Sequence, residues 1–276
     1  MAKKQNKLRT VYFDVEQVPH PEFIWQPYAG FKVDKSLLLS VCCWDPNNDS
    51  SPTLYMLSRK ELKDYVACSD IVNKWERINE RNKIDKGLTE LVMNHLNEKS
   101  DVIFTWYGAR HDMKYMNGKA MYHRLHPCTH TKHIDVYDTA KSKMSVSSNR
   151  LGNIARFLGV SPKGDISPDK WDRTRNGHYP SLLEIGKYNI QDVVTLKEVT
   201  DKLQPLIRNH PHFRILDKQA DHISPAERRK YLADFCKMCG GTNIIHNGTQ
   251  LTDKGRAQKY WCNACADAKG SGSYVW

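Results

Sequence analysis

The first strong pattern of apolar and polar positions is Thr10-Val11-Tyr12-Phe13-Asp14-Val15-Glu16, which predicts a buried strand closing on two carboxylates. Successive strand side chains point to opposite faces, so Asp14 and Glu16, two apart, share one face. An irregular segment follows, from Val18-Pro19-His20-Pro21 to Asp34, carrying Trp25, Tyr28 and Phe31. Its aromatics suit either stacking on bases at the mouth of a site or folding over the core. Two more strands are predicted, Ser36 to Trp44 and, after the turn Asp45-Pro46-Asn47-Asn48, Thr53 to Leu57. With the first they make an antiparallel meander.

Helical periods then alternate with strands. Ser58-Arg59-Lys60-Glu61 is a capping box opening a helix through Tyr65, and Leu88, Leu91, Val92, His95 and Leu96 mark the apolar face of another. Asp70 to Lys86, between them, is charged and loosely defined. Val102 to Tyr107 predicts a fourth strand ending at Gly108, with a helix starting close to Asp112. His133 to Tyr137 is a short fifth strand, and Leu151, Ile154, Ala155 and Leu158 form a helix stopped by Gly159. Gly164 to Tyr179 reads as a loop. Pro180-Ser181-Leu182-Leu183-Glu184 opens a long helix capped by Ser181, with Glu184 reaching back and Pro205 closing it. A meander followed by alternating helices and strands predicts an α/β fold, a mixed sheet with helices on its faces.

The 276 residues leave room for one large domain and a small one. Hydrophobic content of 39% and the lack of any apolar run of bilayer length exclude a membrane-spanning chain of the helical kind. The basic N-terminus has no apolar segment of signal-peptide length behind it, so export is not expected. A formal charge of +11 favours a polyanionic partner. Of the eight cysteines, Cys42, Cys43, Cys68 and Cys128 lack metal-ligand spacing and are expected in a reduced core, whereas the last four are paired. That usage suits a cytoplasmic compartment.

Asp-x-Glu alone is an ordinary polar strand end. The signal lies in the set Asp14 and Glu16 on strand one, Asp112 after strand four, and Tyr188 with Asp192 four apart on one face of the last long helix. Four carboxylates converging from strand and helix suit two Mg²⁺ or Mn²⁺ ions about 4 Å apart, the arrangement that balances charge on attacking and leaving oxygens in phosphodiester cleavage. The Tyr188 phenol then has the chemistry to orient the attacking water.

This set resembles the DEDD 3′-5′ exonucleases of the ribonuclease H-like fold, in the form whose last motif carries Tyr. The position of the alternative His is held by Lys187. The sequence is closer still to phage and prophage exonucleases that look like the proofreading domain of family B DNA polymerases. Phe13-Asp14-Val15-Glu16 resembles their first motif and is followed by a similar Pro-rich loop with Trp25. The stretch Trp106-Tyr107-Gly108-Ala109-Arg110-His111-Asp112 resembles their second. Ser147-Ser148-Asn149-Arg150-Leu151, Leu158-Gly159 and Tyr188-Asn189-Ile190-Gln191-Asp192-Val193 resemble the rest, and the likeness runs from about Leu8 to His212.

Two departures stand out: Tyr107 replaces the usual Asn, which alters one contact to the substrate terminus, and His111 replaces Phe as a packing group. The resemblance implies that Asp14, Glu16 and Asp192 bind the catalytic metal, Asp14 bridges to the second, and Asp112 acts mainly through bound waters. It implies substrate contacts at Trp25, Tyr107 and Asn149, and Lys163 reads either as a contact to substrate phosphate or as an ordinary exposed loop lysine. Asp135 reads as structural or supporting, and Asp138 as a surface acid.

Cys236-Lys237-Met238-Cys239 and Cys262-Asn263-Ala264-Cys265 are two C-x-x-C knuckles suited to closing one tetrahedral Zn²⁺ site. Their separation is slightly long for such a site, which a β-hairpin arm accommodates. The segment resembles the zinc ribbons appended to transposases and phage nucleases. Arg256 and Lys259, beside Tyr260 and Trp261, interleave charge with aromatics in a way that suits a nucleic-acid backbone, or else pack the ribbon.

The expected organisation is a basic tail over 1–7, a ribonuclease H-like exonuclease domain over 8–205, a linker over 206–231 and a zinc ribbon over 232–276. The expected function is two-metal 3′-5′ exonucleolytic hydrolysis of nucleic acid, DNA first and RNA left open, with phage replication or recombination proteins as further partners and no membrane. The rival expectation is a catalytically silent nucleic-acid-binding module.

Overall fold

The computed structural model describes residues 9–129, 131–161 and 164–207 with their side chains, and residues 244–252, 255–262 and 273–275 as backbone strands. The chain divides into two compact units, Lys7–Leu206 and a second made of Met1–Asn6 with Ile207–Trp276.

In the larger unit, β1 (Thr10–Pro19), β2 (Ser36–Trp44), β3 (Thr53–Met56), β4 (Val102–Thr105) and β5 (Lys132–Asp135) build one sheet in the order β3-β2-β1-β4-β5. The first three form the antiparallel meander read from the sequence, and β4 and β5 add in parallel on the other side of β1. β2 is internal, and the consecutive Leu37, Leu38 and Leu39 are all fully buried because both faces of the strand are covered. Val11, Phe13 and Val15 of β1 enter one apolar core with Leu88, Val92 and Leu96. Alternation therefore sends Asp14 and Glu16 to the opposite face of the strand.

Eight helices flank the sheet among the described residues: α1 (Arg59–Ala67), α2 (Lys74–Lys83), α3 (Lys86–Lys99), α4 (Asp112–Tyr122), α5 (Val136–Lys143), α6 (Leu151–Phe157), α7 (Asp169–Arg175) and α8 (Tyr179–Leu203). The capping box at α1 is complete, with Glu61 N donating to Ser58 Oγ at 3.2 Å and Ser58 N to Glu61 Oε2 at 2.7 Å. Gly159 leaves α6 in the left-handed conformation, as the stop signal predicted.

α2 and α7 lie where loosely defined or loop structure was expected. α2 is held by buried polar pairs rather than an apolar stripe: Glu22 binds Arg77 at 2.6 Å and also Arg81, which is 2% exposed, while Asn73 caps the first turn. α8 begins earlier than expected. His178, not Ser181, is its cap, accepting at Nδ1 from Ser181 N, and Glu184 pairs with Lys170 instead of reaching back. Leu91, assigned to the apolar face of α3, is 58% exposed, so that face is narrower than the sequence suggested. The four cysteines expected in a reduced core are free and buried.

Below the sheet a buried charged group ties β2, α3 and α4 together. Asp85 lies 2.7 Å from Lys119 Nζ and 2.9 Å from His123 Nε2, and it accepts from Leu38 N at 2.9 Å. Burial alone would raise its carboxyl, but the Lys119 ammonium and these hydrogen bonds hold it below the ordinary carboxylate value. Lys119 also donates to Ser36 O at 2.9 Å. A buried charge is tolerated because every contact around it is paired.

The second unit contains an antiparallel sheet in the order β6-β7-β8, from β6 (Ile244–Thr252), β7 (Gly255–Cys262) and β8 (Ser273–Val275). Cys262 ends β7. Cys236, Cys239 and Cys265 lie outside the described residues, as does the Cys262 side chain. Among the described residues, no helix is long and apolar enough to cross a membrane.

His20 generates a stability prediction. It is fully buried, with Nε2 3.0 Å from Asn82 Oδ1 and Nδ1 3.1 Å from Tyr65 OH, an arrangement the neutral ring satisfies by donating from Nε2 and accepting at Nδ1. Burial lowers its pKa to about 4. The unfolded chain therefore binds the extra proton between about pH 6.5 and 4, and stability contributed by this site falls as pH drops through that window. Unfolding free energies from urea melts across it should fall more steeply for the wild type than for His20→Gln, by on the order of 2 kcal/mol in total. Parallel curves would contradict the assignment.

Candidate active site

The site starts beside an irregularity in the sheet. The pairing of β1 with β2 shifts register between Glu16 and Gln17, where Leu39 of β2 is skipped, a bulge opposite the point where the two carboxylates emerge. Both are half-buried. α8 crosses this region packed on β1, β2 and β3, and it approaches β3 closely through Gly186. A Cβ there would sit 2.9 Å from Leu54 Cδ2 and 3.1 Å from Met56 Sδ, so a larger residue would have to displace those side chains.

Two residues beyond Gly186, Tyr188 and Asp192 lie one turn apart on the face of α8 that lines the cleft. One carboxylate oxygen from each of Asp14, Glu16 and Asp192 comes within 4.8 Å of the others. Asn189, fully buried on the same helix, donates from Nδ2 to Asp14 Oδ2 at 3.3 Å.

The three acids open into a cleft of about 1090 Å³ that Tyr188 and Asp112 also line. Asp112 is the first residue of α4 and 4% exposed. It shares the cleft but is not one of the three acids whose oxygens meet. Burial, with the nearby charge of Asp135 second, pushes its pKa up to about 8. Burial lowers His111 to about 4. Both shifts favour the uncharged forms, which weakens the 3.7 Å approach of His111 Nε2 to Asp112 as an ion pair. His111 instead receives Gln17 Nε2 at 2.8 Å and meets the Phe31 ring edge-on at 4.5 Å, which is the packing role its position predicted.

The path from β4 to α4 is set by another acid. β4 ends at Thr105, two residues early, because Tyr107 turns to φ 68. A non-glycine residue there costs on the order of 1 to 3 kcal/mol and persists only when its surroundings fix it. Asp135 does so, accepting from Tyr107 N at 2.8 Å and Ala109 N at 3.1 Å. It also ends β5 early by capping α5, through Tyr137 N at 3.2 Å. Between those two amides, Gly108 passes so close to Thr105 that a Cβ would lie 2.4 Å from the Thr105 side chain. The loop is thus pinned from both sides, and with it the start of α4 at Asp112. Asp138, by contrast, is exposed and pairs with Arg110 at 2.6 Å.

Of the other residues named from sequence, Asn149 lines the cleft, and its carbonyl accepts from Trp106 Nε1 at 3.1 Å. Tyr107 lines it too and is 45% exposed. Trp25 is 72% exposed and does not line it, whereas Phe31 of the same segment does. Lys163 lies outside the described residues, and Arg256 and Lys259 are described by backbone alone in β7. Sequence reasoning missed Gln17, Tyr137, Arg156 and Asn189. Asn189 had a usable signal in its place beside Tyr188, but the others reach the site through tertiary packing that no local pattern encodes.

A family described as the RNase_H superfamily matches residues 53–204, more than half of the chain, and the chain belongs to it. The matched span contains Asp112, Tyr188 and Asp192 and begins after Asp14 and Glu16. The five-stranded mixed sheet with flanking helices is the ribonuclease H-like α/β fold. Among solved structures, the chain is similar to the family B DNA polymerase from the hyperthermophilic archaeon Pyrobaculum calidifontis. The identity is 12% and the TM-score 0.48, over 90% of this chain and 31% of that one. The chain therefore spans less than a third of that polymerase. No curated protein matches the chain.

Three oxygen-only anions this close suit a hard divalent cation. Titrating Mn²⁺ into the protein calorimetrically should give binding that weakens at least about tenfold in Asp14→Asn and in Asp192→Asn. An isotherm unchanged in both variants would contradict the grouping.

Proposed function

We propose that this chain is a metal-dependent 3′-5′ exonuclease of the DEDD type with tyrosine in its last motif, hydrolysing the terminal phosphodiester of DNA, preferably single-stranded, and releasing nucleoside monophosphates. The observation that carries the reading is the meeting of Asp14, Glu16 and Asp192 within 4.8 Å at the floor of a cleft. Membership of the RNase H superfamily supports the nuclease class.

In this reading Asp14, Glu16 and Asp192 hold the catalytic Mg²⁺ or Mn²⁺, Asp14 also reaches a second ion, and Asp112 acts through water. The bound metals would supply Lewis-acid stabilisation of the phosphoryl oxygens and of the attacking water. Asn189 keeps the Asp14 carboxylate oriented. Tyr188 hydrogen-bonds the attacking water, and its place one helical turn before Asp192 puts the phenol and a metal ligand on one rigid element. Tyr107 and Asn149, which line the cleft, would grip the strand. Trp25 and Lys163 are proposed as further strand contacts from the sequence alone, and Arg256 and Lys259 as separate nucleic-acid contacts of the C-terminal unit.

We further assign Cys236, Cys239, Cys262 and Cys265 to one structural Zn²⁺, since four thiolates are the soft donor set that closes a tetrahedral zinc site. The zinc ribbon would then occupy 232–276 after a linker over 206–231, following an exonuclease domain over 8–205 and a basic tail over 1–7. In so short a segment, metal binding supplies most of the folding energy, on the order of 10 to 16 kcal/mol. A phage setting would add replication or recombination proteins as partners in the host cytoplasm.

A 5′-labelled oligonucleotide incubated with Mg²⁺ or Mn²⁺ should shorten as a ladder from its 3′ end. Asp14→Asn should lower the rate by about a thousandfold or more, while Tyr188→Phe should cost roughly tenfold to a hundredfold. Intact DNA shifted in a gel would replace the enzyme with a silent binding module, and undiminished digestion by Asp14→Asn would sink the assigned site. Elemental analysis should find one zinc per chain, lost in Cys236→Ser.

A further inference from the structure

Beside the three carboxylates, two tyrosine rings line the cleft with cations packed over them, and of this group the reading above uses only Tyr107. Tyr107 and Tyr137 both line the cleft, their rings edge-to-face with centroids 4.9 Å apart. The Arg110 guanidinium lies 5.5 Å from the first centroid and 5.7 Å from the second, and Lys141 Nζ lies 5.8 Å from the Tyr137 ring.

Arg110 is 44% exposed and its partner Asp138 49% exposed, at a separation of 2.6 Å. A surface pair of that kind stabilises a fold by about 0 to 1 kcal/mol. It is not what holds the loop, because Asp135 fixes the backbone on either side of Gly108 through Tyr107 N and Ala109 N. The strained backbone at Tyr107 is therefore set by a buried acid, and Arg110, whose Nη1 also lies 3.7 Å from Asp135 Oδ2, makes its short contact to a carboxylate that water reaches.

We propose that Tyr107, Tyr137 and Arg110 form a seat for one nucleotide of the bound strand other than the one at the carboxylates. The exposed ring of Tyr107 takes its base, and Arg110 leaves Asp138 to take its phosphate. The chemistry matches the ligand: aromatic faces beside cations bind successive bases without reading sequence, and a guanidinium meets phosphate with the fork geometry it uses for carboxylate. In this arrangement Asp138 is a competitor that occupies Arg110 until a strand arrives. The inference rests on the nuclease reading above.

The test measures binding of a fluorescein-labelled oligothymidylate to the full chain by anisotropy, with Ca²⁺ replacing Mg²⁺, over a series of salt concentrations. Arg110→Ala should weaken binding about tenfold and lower the slope of log affinity against log salt by about 0.7, the loss of one phosphate contact on a single strand. Tyr137→Leu should weaken binding by roughly five- to tenfold with the slope unchanged. Asp138→Asn should tighten binding severalfold.

Opposite signs for Arg110→Ala and Asp138→Asn are what competition requires. A surface tie with no ligand predicts that both variants match the wild type or that both weaken binding, and either result overturns the seat. A wild-type chain that binds strand normally while Arg110→Ala superimposes on it overturns the seat alone. A wild-type chain that binds no oligonucleotide overturns the nuclease reading with it.

Discussion

The structure gathers three carboxylates that repel one another. At the separations found for Asp14, Glu16 and Asp192, a pair of ionised acids in a partly buried setting opposes folding by on the order of a few kcal/mol. The fold meets that cost with features that have no other evident use. A bulge in β2 lies opposite the point where the β1 acids emerge, Gly186 lets α8 pack against the Leu54 and Met56 side chains of β3, and Asn189 offers Asp14 a buried donor. Like charges held together by so much local structure are what a site for a divalent cation looks like before the cation is considered.

A second acid pair sets the neighbouring wall. Asp135 accepts from three backbone amides, those of Tyr107, Ala109 and Tyr137, so one carboxylate fixes the β4-to-α4 loop and the start of α5 together. Its charge is also felt by Asp112, whose proton is held more tightly as a result of burial and of that neighbour. Asp112 thus differs in kind from the three clustered acids. It enters the cleft as a group favouring its neutral form, and a divalent cation nearby would shift it toward the carboxylate. Position and electrostatics are coupled here, because the residue that places Asp112 also tunes it.

Much of this was legible from the chain, and the division is physical. The strands of the meander and the capping box at Ser58 and Glu61 follow from short-range rules of alternation and capping. The acids that meet were legible as a set, because Asp14 with Glu16 and Tyr188 with Asp192 each obey the period of their own element. α2 was hidden because Glu22 and Arg81 stabilise it across more than fifty residues, replacing the apolar stripe that a periodicity search needs. The early ends of β4 and β5 were hidden for a similar reason, since the turn at Tyr107 depends on Asp135, twenty-eight residues later. Gln17 and Tyr137 reach the cleft by tertiary packing, and nothing in their immediate sequence marks them.

The central claim is that these particular acids form a cation site. Anomalous diffraction from crystals soaked in Mn²⁺ tests it most directly. The account predicts a manganese peak within coordination distance of oxygens from Asp14, Glu16 and Asp192 together, absent in crystals of Asp192→Asn. Manganese bound elsewhere on the surface, with the three carboxylates contacting only water, would contradict it.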